Sequence, residues 1–159
     1  AKAAAATGTL RGALWHQGES DSGKEETAST YRQRFEQMIK DLRADLGIPE
    51  FPFVAGELGE FHLRRVRANG QTINDAFHAA AGALPRVACV DAKDLKDGGD
   101  NLHFDAASQR VRAAGAWMRA VMSVRGAAWF RGEFTGPSSC RRWWGVPCRS
   151  RSAPPTSAA

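Results

Sequence analysis

Asp100 and His103 stand three residues apart, directly before a stretch with helical patterning. That spacing lets a single turn carry both side chains to one side. A carboxylate placed there accepts a hydrogen bond from one imidazole nitrogen, fixes the tautomer, and leaves the other nitrogen as a general base. Taken alone, D-x-x-H reads more simply as a loop acid beside a surface or capping histidine. Gln17 ends a short apolar run and precedes Gly18, so its amide can project an N–H into a cleft as an oxyanion donor. A pre-aimed donor of that kind contributes about 3–4 kcal/mol to a tetrahedral intermediate. By itself, a strand-end glutamine that satisfies nearby backbone is the simpler account.

Other residues offer rival chemistries. Gly18-Glu19-Ser20-Asp21-Ser22 resembles a G-x-S-x-G nucleophile elbow with Ser20 at its centre, but Ser22 replaces the final glycine that relieves crowding in the turn. His16, Glu19, Asp21, Asp100, His103 and Asp105 are nitrogen and oxygen donors, yet no HExxH or paired-histidine spacing supports zinc, and no metal or other cofactor is expected. His62, beside Arg64 and Arg65, and His78, inside a helical stretch, read as solvated or packed. Cys89 lies in an apolar strand with no cysteine near it in the body of the chain, so a buried thiol is expected there.

The elements that must position these residues alternate in type. Leu10 to Gln17, Phe51 to Gly56 and Arg86 to Asp91 read as strands. From Thr27 to Leu46 a helix is expected, because Tyr31, Phe35, Met38, Ile39, Leu42 and Leu46 recur at steps of three and four, and Gly47 and Pro49 stop it. A second helix spans Thr72 to Leu84, with Ile73, Phe77, Ala80 and Leu84 inward. A third is capped by Asp105 and runs to about Met122. Strand–helix alternation implies an α/β fold with a parallel sheet covered by helices, and chemistry in such sheets gathers at loops leaving the C-terminal strand ends. His16 to Asp21, Glu57 to Phe61 and Asp100 to Asp105 occupy those loops.

Charge divides the chain in two. The 159 residues carry a net +5, which invites a nucleic-acid or membrane-surface role. Residues 125–159, however, hold Arg125, Arg131, Arg141, Arg142, Arg149 and Arg151 against the single acid Glu133. The body, 1–124, keeps 16 of the 22 basic and 16 of the 17 acidic residues and is neutral. The tail also contains Trp129, Trp143 and Trp144, four prolines, Cys140 and Cys148. It shows no RNA-binding motif and no sustained amphipathic period, so a disordered appendage is expected and a nucleic-acid partner is not. No run approaches the about 18 apolar residues of a membrane span, and Ala1 to Leu10 does not read as a signal peptide. A soluble chain is expected. Its compartment and oligomeric state are not readable.

Two blocks in the right order, Gly12-Ala13-Leu14-Trp15-His16-Gln17-Gly18-Glu19-Ser20-Asp21 and Gly99-Asp100-Asn101-Leu102-His103-Phe104-Asp105, with Gly56-Glu57-Leu58-Gly59 between them, carry a family resemblance. Over about residues 8–122 the chain resembles the SGNH-type (GDSL-like) carbohydrate esterases, in particular the sialate O-acetylesterase and acetylxylan esterase group, carbohydrate esterase family six. The resemblance implies a three-layer α/β/α, flavodoxin-like sheet and a serine esterase that removes acetyl groups from sugars or glycans. His103 would be the base and then the acid, Asp100 its orienting partner and Gln17 an oxyanion donor. Gly18, Glu19 and Asp21 would support the loop after the first strand, and Glu57 would line the site. The family's serine sits on a G-Q-S-N turn, and a further glycine N–H completes its oxyanion hole. Neither block occurs in these residues, so the chain is expected to lack the family's N-terminal strands and nucleophile. Loss of a triad serine costs on the order of 10⁶ in turnover, so these residues alone are expected to be nearly inert. A carbohydrate-binding remnant without turnover and a salt-sensitive basic nucleic-acid binder are the alternatives.

Overall fold

The computed structural model describes residues 1–112. The expected continuation of the last helix to Met122 and the tail at 125–159 lie outside the described residues. In chain order the elements are α1 (Lys2–Thr7), β1 (Ala13–Trp15), a short 3₁₀ turn at Asp21–Gly23, α2 (Glu25–Ser29), α3 (Tyr31–Leu46), β2 (Phe53–Gly56), α4 (Glu60–Val66), α5 (Ala68–Ala83), β3 (Val87–Val90) and α6 (Ala106–Val111). No helix among the described residues is long and apolar enough to cross a membrane.

The three strands form one parallel sheet in the order β1-β2-β3. Ala13 pairs with Phe53 and Trp15 with Ala55, and Phe53 in turn pairs with Val87 and Gly56 with Val90. Sequential parallel strands joined by right-handed crossovers place both crossover helices on the same side. Accordingly α3 and α5 share one core against Phe53, Ala55 and Val87. This is the α/β class expected, a three-strand parallel sheet flanked by helices. β1 is an edge strand among the described residues, and its Leu14 is 61% exposed.

Aromatic rings dominate the core. Phe77 and Ile39 are fully buried, and Phe35 meets Phe77 at 5.1 Å and Phe53 at 5.7 Å in edge-to-face contacts. Tyr31 stacks on Phe35 at 5.9 Å. Gly47 ends α3 in the left-handed conformation (φ 66°), where its N–H donates to Ala44 O and the Ile48 N–H donates to Arg43 O. Buried Arg43 turns inward at that end and donates to the carbonyls of Phe51 and Pro85, tying the turns before β2 and β3 together.

Several boundaries differ from expectation. The helix predicted from Thr27 breaks at Thr30, because Thr30 and Thr27 hydroxyls bond to carbonyls of the preceding turn and compete with the helical ladder. The first strand is shorter than its apolar run, and only Ala13–Trp15 finds a partner. Helix α4 was not anticipated, since seven residues are too few to display a period. It and α5 meet at Arg67, a non-glycine residue at φ 48°.

Candidate active site

The loop after β3 folds back on itself. Gly98 N–H donates to His103 O at 2.7 Å, Asp105 N–H to Lys96 O at 2.9 Å, and Asp97 bridges Phe104. Asp105 caps α6 as expected, accepting from Ser108 N–H at 2.6 Å. Within this frame the Asp100 Oδ1 accepts the backbone N–H groups of His103 at 2.8 Å and Leu102 at 2.9 Å. Its Oδ2 lies 2.6 Å from His103 Nδ1. The backbone and ring hydrogen bonds of His103, with that of Leu102, hold the Asp100 carboxyl far below its ordinary range. Asp100 therefore stays ionised and keeps the proton on Nδ1, which leaves Nε2 as the basic nitrogen. The pair is open to solvent, with side chains 52% and 75% exposed. Among the described residues no hydroxyl is hydrogen-bonded to His103.

The loop after β1 hangs on the aromatic core. Tyr31 OH lies 2.9 Å from Gln17 Oε1 and 3.0 Å from Gln17 O, and it accepts from Trp15 Nε1 at 3.3 Å. Burial pushes the Tyr31 phenol up to about 12, so it remains a donor. Gln17 Nε2 donates to Asp21 Oδ2 at 2.8 Å, and Asp21 Oδ1 accepts from Arg34 at 2.6 Å. Although burial opposes it, these two hydrogen bonds draw the Asp21 carboxyl below its ordinary value. The amide of Gln17 is thus oriented from both ends, and one of its N–H groups is committed to Asp21. Gly18 is buried at φ +143°, and a Cβ there would come within 2.6 Å of Ile73 Cγ2, so only glycine fits.

Ser22 and His62 form a pair that the sequence did not reveal. Ser22 Oγ donates to Glu19 O at 2.7 Å, so its oxygen accepts from His62 Nε2–H at 2.9 Å. The histidine donates here, the reverse of the direction that activates a hydroxyl. His62 is 1% exposed and is packed, one of the two placements its neighbours allowed. Ser20 is exposed, in an ordinary right-handed helical conformation at the start of the 3₁₀ turn, with none of the strain of a nucleophile elbow.

His16 joins the loops. Its Nε2 lies 3.1 Å from Arg112 Nη1 and 3.3 Å from Glu57 O, and its ring packs on Phe104 at 5.4 Å. Arg112 covers the other partner of that contact, with its guanidinium 4.5 Å from the Phe104 ring. Glu57 braces two elements, its Oε1 2.6 Å from His78 Nε2 and its Oε2 accepting from Ala92 N–H at 3.1 Å. Asp100 and His103 are therefore brought together directly. Gln17, Gly18, Glu19 and Asp21 cluster in their own loop, and the two loops meet through His16 and Phe104.

Residues 1–123 match the family described as carbohydrate esterase, sialic acid-specific acetylesterase. The chain belongs to that family. A curated relative from Arabidopsis thaliana, named "Probable carbohydrate esterase At4g34215", is 34% identical over 103 residues, which is 64% of this chain and 36% of the relative. The X-ray structure from the same plant locus superposes with a TM-score of 0.65 at 29% identity, covering 77% of this chain and 48% of that one. This carbohydrate esterase family chain thus spans about a third to a half of the length of those relatives. Its D-x-x-H block and its W-H-Q-G-E-S-D block both lie within the matched residues.

Burial sets an acid limit on this arrangement. His62 and His16 are held below the ordinary 6.5, in both cases first by burial. The fold favours their neutral forms, so their contribution is fully present above pH 6.5 and is lost as pH falls through that value towards the lower folded values. The urea midpoint is expected to decline between pH 7 and pH 5, and His62→Gln, which keeps a donor for Ser22, should flatten the decline. A midpoint constant over that range, or a slope unchanged in the variant, contradicts this.

Proposed function

We propose that this chain carries the acid–base half of a serine-type carbohydrate O-acetylesterase acting on acetylated sugars or glycans such as acetylxylan or O-acetyl sialate. The observation that carries the proposal is the 2.6 Å bond between Asp100 Oδ2 and His103 Nδ1, anchored by two backbone N–H groups on the same carboxylate. Family membership supplies the ester-hydrolase context. As the serine attacks the acetyl carbonyl, His103 Nε2 takes its proton, and Asp100 stabilises the resulting imidazolium. Gln17 donates an amide N–H to the tetrahedral oxyanion. His103 then returns the proton to the leaving sugar oxygen. In the second half it draws a proton from water, which attacks the acetyl-serine and releases acetate. Gly18, Glu19 and Asp21 hold the Gln17 loop, and Glu57 fastens the loops after β2 and β3.

The nucleophile is assigned to a segment preceding these residues, as the family resemblance implies. Residues 1–124 act as esterase domain and 125–159 as an appended basic tail with no part in the chemistry. A longer chain that adds a G-Q-S-N turn is expected to release acetate from an acetylated sugar, while the 159 residues alone stay near background on an aryl acetate. Turnover by the 159 residues that Ser20→Ala abolishes would make Ser20 the nucleophile instead. Binding of acetylated sugar with no release by either chain would favour a carbohydrate-binding role.

A further inference from the structure

Glu57, His78 and Cys89 come from three different elements: the residue after β2, the middle of α5, and β3. Their ligand atoms, one carboxylate oxygen, one imidazole nitrogen and one sulfur, lie within 4.8 Å of one another. We propose that these three side chains form a binding site for a thiophilic divalent cation, for which Zn²⁺ is the best match. The acetyl-transfer chemistry does not require it, so this site stands or falls apart from the esterase proposal.

The donor set fits the ion. Zn²⁺ takes mixed sulfur, nitrogen and oxygen ligands, whereas Mg²⁺ and Ca²⁺ select oxygen alone. A thiolate and a carboxylate neutralise its two charges, which matters at a half-buried place, and the neutral imidazole adds none. The scaffold is preorganised as well. Cys89 is fixed by its ladder to Ala55, and His78 follows the fully buried Phe77 on α5. Around zinc at 2.0–2.3 Å, tetrahedral ligands sit about 3.3–3.8 Å apart. Glu57 and His78, now 2.6 Å apart, must open slightly, and the sulfur already lies within 4.8 Å of both. His78 is exposed and has room to turn.

Without the ion, Glu57 and His78 pair with each other, and burial followed by the Glu57 charge pushes the Cys89 thiol up to about 12. Three protein ligands leave one position for water. Through the Glu57 bond to Ala92 N–H, the ion would stiffen the start of the loop that presents Asp100 and His103.

The test titrates the full chain with Zn²⁺ against a chromogenic chelator and repeats it with Co²⁺, whose thiolate charge-transfer absorption reports sulfur ligation. Tight binding of a single ion is expected, with the cobalt band present. Cys89→Ser and His78→Ala should each weaken binding by about a hundredfold or more and Cys89→Ser should abolish the band. His78→Ala changes an exposed side chain and guards against a folding artefact at Cys89. Cys140→Ser/Cys148→Ser should retain both signals. No binding, binding indifferent to Cys89→Ser and His78→Ala, or loss that follows Cys140 and Cys148 overturns the site.

Discussion

Changing His103 to alanine is expected to lower kcat/KM for acetyl-ester hydrolysis by about 10⁴–10⁶, wherever that activity is measured on a chain containing these residues. Losses of this size follow removal of the base from a serine–histidine–aspartate unit. The interaction lost exists only as the proton moves, so kcat should fall while KM stays close to its original value. A stability measurement separates this loss from structural damage. His103 is 75% exposed at its side chain and, among the described residues, bonds only within its own loop, so the variant's stability should stay within about 0.5 kcal/mol of the parent. Urea denaturation beside the kinetics checks both halves. A variant that keeps more than about a tenth of the activity would remove His103 from the mechanism.

The second large effect concerns the core. Phe77→Ala is expected to cost about 3–5 kcal/mol, a large fraction of the 5–15 kcal/mol typical of a domain. Phe77 is fully buried and meets Phe35 at 5.1 Å and Tyr31 at 5.7 Å, both edge-to-face. Its removal leaves a cavity bounded by the sheet and α3, which the rigid strand backbones cannot close. Tyr31 is also the residue whose hydroxyl orients Gln17. The variant should therefore weaken both the fold and the orientation of the Gln17 amide. Chemical denaturation at neutral pH reads the first effect, and a cost under about 1 kcal/mol would mean that the aromatic cluster does not hold α5 to the sheet.

What the sequence made legible was whatever depends on one element at a time. The three- and four-residue steps from Tyr31 to Leu46 mark a buried stripe, and the Gly47 stop follows from its left-handed turn. The strand–helix alternation implied a parallel sheet with its loops at one end, and D-x-x-H implied one shared turn; both geometries are present. Pairings between elements left no such trace. Ser22 meets His62 across 40 residues, His16 meets Arg112 across 96, and Glu57 meets His78 across 21. A hydrophobic period reports which face of an element is buried, not which partner faces it. The cation-binding cluster escaped for the same reason, because its three donors belong to three elements and share no local spacing. Helix α4 escaped because Phe61, Leu63 and Val66 make too short a series to distinguish a period.

The pairing of Asp100 with His103 as one acid–base unit is tested most directly by a double-mutant cycle on acetyl-ester hydrolysis, comparing Asp100→Asn, His103→Ala and both together. If Asp100 acts only by orienting and stabilising the imidazole, Asp100→Asn alone should cost about 10⁴, and the double variant should match His103→Ala within about threefold. Losses that multiply in the double variant would mean that the two side chains act independently and would contradict the account.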